Sequence, residues 1–125
     1  MSGGPVRVLI VDDHALFADA LKVLLDRDGS VHVVGVAHDG SEAVDLAVST
    51  DAEVVLMDVG LPTVDGFEAS RRLRELKHAA KVIALTGRLD AQVRAEAEAA
   101  GMVGSLTKDH VYDTVVPAIL AASGR

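Results

Sequence analysis

The chain has no cysteine and no tryptophan, and it holds only one tyrosine, two phenylalanines and three prolines among 125 residues. Without cysteine there is no disulfide, no thiolate metal ligand and no cysteine nucleophile, which fits a cytoplasmic setting. The scarcity of aromatics leaves the core to Val, Leu, Ile and Ala. Half of the residues are hydrophobic, enough for one core at this length. No apolar run approaches the roughly 20 residues of a membrane span, so no membrane partner is expected. The start, MSGGPVRVLIV, lacks a basic segment ahead of a long apolar run and makes a poor signal peptide. No basic block is present and the net charge is −7, which argues against nucleic-acid contact by these residues. The first apolar run leads into DDHALF rather than GxGxxG, and no P-loop, GxSxG or HExxH pattern occurs. His32, His38, His78 and His110 are scattered without zinc spacing.

What is present is an alternation. Apolar runs at residues 6–11, 31–37, 53–57, 81–85 and 103–107 read as buried strands. Between and after them, helical periodicity runs from His14 to about Arg27 and over about 42–49, 66–77, 89–100 and 111–122. Ser41 and Asp65 stand where helix caps belong. Five strand–helix units of these lengths predict a parallel sheet with helices on both faces. The expected fold is a three-layer, flavodoxin-like α/β sandwich with strand order 2-1-3-4-5. Residues 1–5 and 123–125 read as tails around a single domain over 6–122, the second tail doubling as the start of a linker.

Polar residues stand where the apolar runs end. Asp12 and Asp13 follow VRVLIV, Asp58 follows EVVLM, Thr86 follows KVIAL and Lys108 follows VGSLT. In a parallel sheet these positions converge at the carboxyl edge, where such sheets bind ligands. Three carboxylates together repel unless cations offset them. Lys108 supplies one charge, and a hard divalent ion with a preference for oxygen, magnesium above all, supplies two more. Asp12 and Asp13 are the candidate ligands, joined by Asp58 and the Gly60 backbone carbonyl. Asp58 is the candidate nucleophile toward phosphorus, forming an acyl phosphate. Lys108 and the Thr86 hydroxyl are placed to contact the transferred group. His14 opens a helix, and an ordinary polar role is read for it. A lone acid at a strand end is more often a turn former or cap, and a lone lysine is more often solvated; the combination carries the reading.

These residues, with LPTVDG behind Asp58 and Gly87 behind Thr86, make the chain similar to the receiver domain of a bacterial two-component response regulator. The likeness covers residues 6 to about 122. VRVLIVDDHALFADALKVLL, VHVVGVAHDGSEAVDLA and GSLTKD resemble the subfamily with a LuxR-type helix-turn-helix output domain. The resemblance implies that Asp58 accepts phosphate from a sensor histidine kinase and that Asp12 and Asp13 bind Mg2+. It also implies that Thr86 and Lys108 report the phosphoryl group by shifting the surface of the fourth helix, fifth strand and fifth helix. Gly60 and Arg88 flank the water path for hydrolysis as candidate modulators. The chain is expected to be a signalling phosphoacceptor rather than an enzyme, excised from a longer transcription regulator, with a natural single-domain protein as the alternative. DNA contact would belong to the output domain, and phosphorylation-linked homodimerisation is a further expectation.

Three positions depart from the pattern. Ser105 stands where the family often has Tyr or Phe, putting the usual aromatic switch in doubt. Glu98 stands where the subfamily often has Leu, implying a looser fourth helix or an acidic face. Pro117 falls inside the last helix and is expected to kink or shorten it. Two competing functions remain at this level: an interaction module that needs no phosphate, and a small-molecule phosphatase with an aspartyl intermediate. The second lacks an obvious cap over a substrate pocket.

Overall fold

The computed structural model describes residues 4–124. It contains five strands, β1 (Val6–Val11), β2 (Val31–Ala37), β3 (Val54–Asp58), β4 (Lys81–Thr86) and β5 (Gly104–Thr107). Five helices alternate with them: α1 (Ala15–Asp26), α2 (Gly40–Thr50), α3 (Gly66–Glu75), α4 (Ala91–Ala99) and α5 (Val111–Ser123). A single 3-10 turn, Lys108–His110, joins β5 to α5 and has no counterpart in the sequence reading. All strand pairs are parallel, in the expected order β2-β1-β3-β4-β5.

The layers follow from the two-residue period of a strand. Val8 and Ile10 of β1 point to the same face as Leu56, Ile83 and Leu85, where Leu21 and Leu25 of α1 and Val115 and Ile119 of α5 cover them. Leu9 and Val11 point to the other face with Val55, Met57 and Ala84, under Ala43 and Ala47 of α2, Ala69 and Leu73 of α3 and Ala97 of α4. β1 and β3 are central and buried on both faces, hence their largely apolar sequences, interrupted in β1 by the partly exposed Arg7. Each fully buried Leu or Ile here contributes on the order of 1.5–3 kcal/mol.

Several local details differ from expectation. α2 is capped by Asp39, whose carboxylate accepts from the Glu42 N–H at 2.8 Å; Ser41 lies within the helix. Asp65 does cap α3, accepting from Glu68 N–H. α4 begins at Ala91, two residues late, because Asp90 caps it through Val93 N–H. It buries Ala97 alone, and Glu98 faces solvent. α5 runs through Pro117 to Ser123 rather than ending there. Pro117 lies on the exposed face, where the carbonyl one turn back can turn to water, while Val111, Val115 and Ile119 hold the opposite face in the core. Ser123, read as the start of a tail, therefore belongs to the helix, and Gly124 closes it with φ 83°. Residues 1–3 and 125 of the two expected tails lie outside the described residues.

Candidate functional site

The strand register brings the candidate residues together. Val11 pairs with Met57, so Asp12 and Asp58 leave neighbouring strands at the same level. Asp58 pairs with Leu85, and Thr86 pairs with Thr107, placing Thr86 and Lys108 along the same edge. Gly66 lets α3 start against this edge. A β-carbon there would collide with the Asp58 carbonyl oxygen and lie 2.9 Å from both Met57 Cγ and Val59 Cα. The sequence reading passed over Gly66; its place directly after the Asp65 cap was the available signal.

Lys108 is the hub. Its ammonium lies 2.7 Å from Asp12 Oδ2 and 3.1 Å from Asp58 Oδ2, with the side chain only 18% exposed. It also rests 4.8 Å from the centre of the Phe17 ring, a cation–π contact. Burial pulls the Lys108 pKa down, but the contact with Asp12 and the hydrogen bond to Asp58, with their charges, outweigh it and hold the pKa above the ordinary lysine value. Asp58 is nearly buried, and its Oδ1 accepts the Gly60 N–H at 2.9 Å.

Asp12 is fully buried, and its Oδ1 accepts the His14 N–H at 2.8 Å. Among the described residues, Asp12 Oδ2 is the buried side-chain atom left without a well-directed hydrogen bond, despite the nearby ammonium. Three carboxylates against the single Lys108 ammonium leave excess negative charge at this edge, which favours a further cation. Ligand atoms of Asp12, Asp13, His14 and Asp58 all lie within 4.8 Å of one another. The three carboxylates of this set, at a partly open edge, fit a hard divalent ion that keeps some water, as magnesium does. His14 lies beside this cluster, its ring Nδ1 3.1 Å from Asp12 Oδ1.

Thr86 is buried at the strand end, but its hydroxyl is engaged within its own loop. It donates to the Arg88 carbonyl at 2.9 Å and accepts the Arg88 N–H at 3.1 Å. The Arg88 guanidinium is exposed and lies 3.8 Å from Asp90. Ser105 is half-buried on β5 and lines two neighbouring clefts of about 470 and 320 Å³. No helix among the described residues is long and apolar enough to cross a membrane.

Comparison with known proteins agrees with this geometry. The family described as the response regulator receiver domain matches residues 8–119. The transcriptional regulatory protein LiaR of Bacillus subtilis is 37% identical over 119 residues, covering 94% of this chain and 56% of its own length. The chain spans about half the length of the curated relatives it matches. Among solved structures, the signal receiver domain of NarL from Mycobacterium tuberculosis superposes with a TM-score of 0.92 at 32% identity, covering 98% of this chain and 99% of the other. A LuxR-family two-component response regulator from Aurantimonas sp. SI85-9A1 gives 0.90 at 32% identity, over 98% of this chain and 88% of the other. With the strand order, the acidic edge and the family match in agreement, the chain belongs to the receiver domains of two-component response regulators.

Proposed function

We propose that Asp58 takes a phosphoryl group from the phosphohistidine of a sensor histidine kinase, and that this switches the surface controlling an output domain in transcription regulation. The observation that carries the reading is the Lys108 ammonium, which bridges Asp12 and Asp58 from across the sheet edge, 50 residues beyond Asp58. A carboxylate oxygen of Asp58 attacks phosphorus, the P–N bond breaks, and the kinase imidazole leaves with the bonding pair. Asp58 is suited to this because β3 and the Gly60 N–H fix its carboxylate, leaving little reorientation before attack. Lys108 neutralises charge gathering on the transferred oxygens. Magnesium, held by Asp12, Asp13 and Asp58 with the Gly60 carbonyl, would supply the remaining charge neutralisation when bound.

Thr86 gives the switch a mechanical form. To donate to a phosphoryl oxygen its hydroxyl must give up the bond it donates to the Arg88 carbonyl, so phosphorylation competes with a bond that holds the β4–α4 loop. Ligand-dependent exchange of that bond is a population shift between two loop states. With Ser105 in place of a ring, transmission rests on this loop, and Gly60 and the exposed Arg88 set water access to the acyl phosphate.

The receiver unit over 6–122 would work in the cytoplasm, as a homodimer when phosphorylated, with DNA contact left to an output domain. It is a stoichiometric phosphoacceptor rather than a turnover enzyme. Acetyl phosphate with magnesium should add one phosphoryl group, read by intact mass, and Asp58→Asn should abolish it. Undiminished labelling of Asp58→Asn would overturn the assignment.

A further inference from the structure

We propose that Phe17 is a positioning residue for phosphoryl transfer: its ring holds the Lys108 ammonium where it can meet the transferred oxygens. The inference rests on the phosphoacceptor reading of Asp58 and adds to it a side chain that touches none of the reacting atoms. Lys108 Nζ stands over the Phe17 ring, 4.8 Å from its centre. That is inside the roughly 6 Å at which the negative face of a ring attracts a cation.

Lys108 needs such a support. Its backbone leaves β5, a four-residue strand at the sheet edge whose residues are all half-buried, and enters the 3-10 turn Lys108–His110. A lysine stem is long and flexible, so its head wanders unless several partners hold it. Asp12 Oδ2 and Asp58 Oδ2 draw the ammonium at 2.7 and 3.1 Å. His14 Nδ1 lies 3.3 Å away, but it faces the Asp12 and Asp13 carboxylates, which favour an N–H there rather than a lone pair for Lys108. The Phe17 ring supplies the third attractive contact.

The ring is itself tied to the acid pair. Asp12 Oδ1 accepts the His14 N–H, and the His14 carbonyl accepts the Ala18 N–H, which closes the first turn of α1 around Phe17. Phe17 packs against the layer that α1 and α5 share. Among the described residues that layer is otherwise aliphatic, so packing alone does not call for a ring at this half-buried position. When a phosphoryl group joins Asp58, the ammonium must turn from Asp58 Oδ2 to a phosphoryl oxygen. A cation already held beside that path needs little reorganisation, which is how a preorganised charge lowers a barrier.

The test is the rate of magnesium-dependent phosphorylation by acetyl phosphate, read by intact mass. Wild type, Phe17→Leu, Phe17→Met and Phe17→Tyr are compared, each also in the Lys108→Met background. A small donor removes any contact that Phe17 makes with a kinase. Two ring-free replacements separate loss of the ring from a packing defect peculiar to one shape, and Tyr restores the ring. The ring-free variants should react ~3–10-fold more slowly, the range of a partly shielded cation–π contact, and Phe17→Tyr should stay within about twofold of wild type. With Lys108→Met already present, each change should alter the remaining rate by less than about twofold, because no ammonium is left to hold. In proton NMR, the Lys108 methylene beside the ammonium should carry an upfield ring-current shift in wild type and Phe17→Tyr that the ring-free variants lose. Equal slowing in both backgrounds would show a purely structural role and overturn the inference. So would an unchanged rate in the ring-free variants, or an ordinary Lys108 methylene shift in wild type, with the phosphoacceptor site left intact. Wild type that takes no phosphoryl group would overturn both readings.

Discussion

Lys108→Met is the sharpest probe of the edge, because methionine keeps the apolar stem against Phe17 and removes only the charge. At an effective dielectric of about 20, an ammonium at 2.7 and 3.1 Å from two carboxylate oxygens gains roughly 5–6 kcal/mol from each before desolvation. Desolvation of three charged groups returns most of that. Breaking a buried pair costs about 3–5 kcal/mol, while an exposed pair contributes about 0–1. Lys108 sits at the rim, but both acids are nearly buried, so the expected loss is about 2–3 kcal/mol. For a domain of this size that lowers the melting temperature by about 10 °C.

The pH dependence has a defined sign. The Lys108 pKa is raised by folding, so its stabilisation is complete below the ordinary lysine value of 10.5 and is lost as pH rises through the folded-state value. Urea melts of wild type and Lys108→Met from pH 7 to 11 should therefore run parallel up to about pH 10 and converge above it. A difference below about 0.5 kcal/mol at pH 7, or one that persists undiminished at pH 11, would refute the electrostatic role given to Lys108.

Other perturbations read other parts of the molecule. Gly66→Ala drives a β-carbon into the backbone of β3 and should cost about 2–3 kcal/mol, whereas Gly29→Ala, with open space around it, should change stability by less than about 1; equal melts would refute the close-approach argument. Thr63 holds φ at 66° in the loop behind Asp58, an uncommon strain for a β-branched residue. Thr63→Gly should therefore raise stability by up to about 1 kcal/mol in thermal melts, and a loss would show that its side chain matters more than its backbone. Ser105→Tyr should fold within about 1 kcal/mol of wild type, because open clefts lie on both sides of the position; a loss above about 3 kcal/mol would mean that those clefts cannot take a ring.

Strand and helix alternation was legible because β1 and β3 are buried on both faces and read as largely apolar runs, and because turn residues separate the elements. Asp65 was legible as a cap, but Ser41 misled. Two cap-forming residues, Asp39 and Ser41, flank Gly40, and the helix starts at Gly40 because the Asp39 carboxylate takes the Glu42 N–H; Gly40 itself must lack a side chain because a β-carbon would collide with the Val64 carbonyl. Pro117 misled in the other direction. Its local preference is outweighed by three buried side chains on the far face of α5, and its lost hydrogen bond faces water.

The sequence by itself determined which groups stand at the strand ends, since Asp12, Asp13, Asp58, Thr86 and Lys108 each close an apolar run, and residue type and strand period are local properties. Only the tertiary structure decided how these groups engage. Register between strands placed Lys108 across Asp12 and Asp58, turned the Thr86 hydroxyl into the Arg88 loop and set the His14 ring among the acids. Those outcomes depend on distances between strand ends far apart in the chain, which parallel pairing fixes and no stretch of sequence contains.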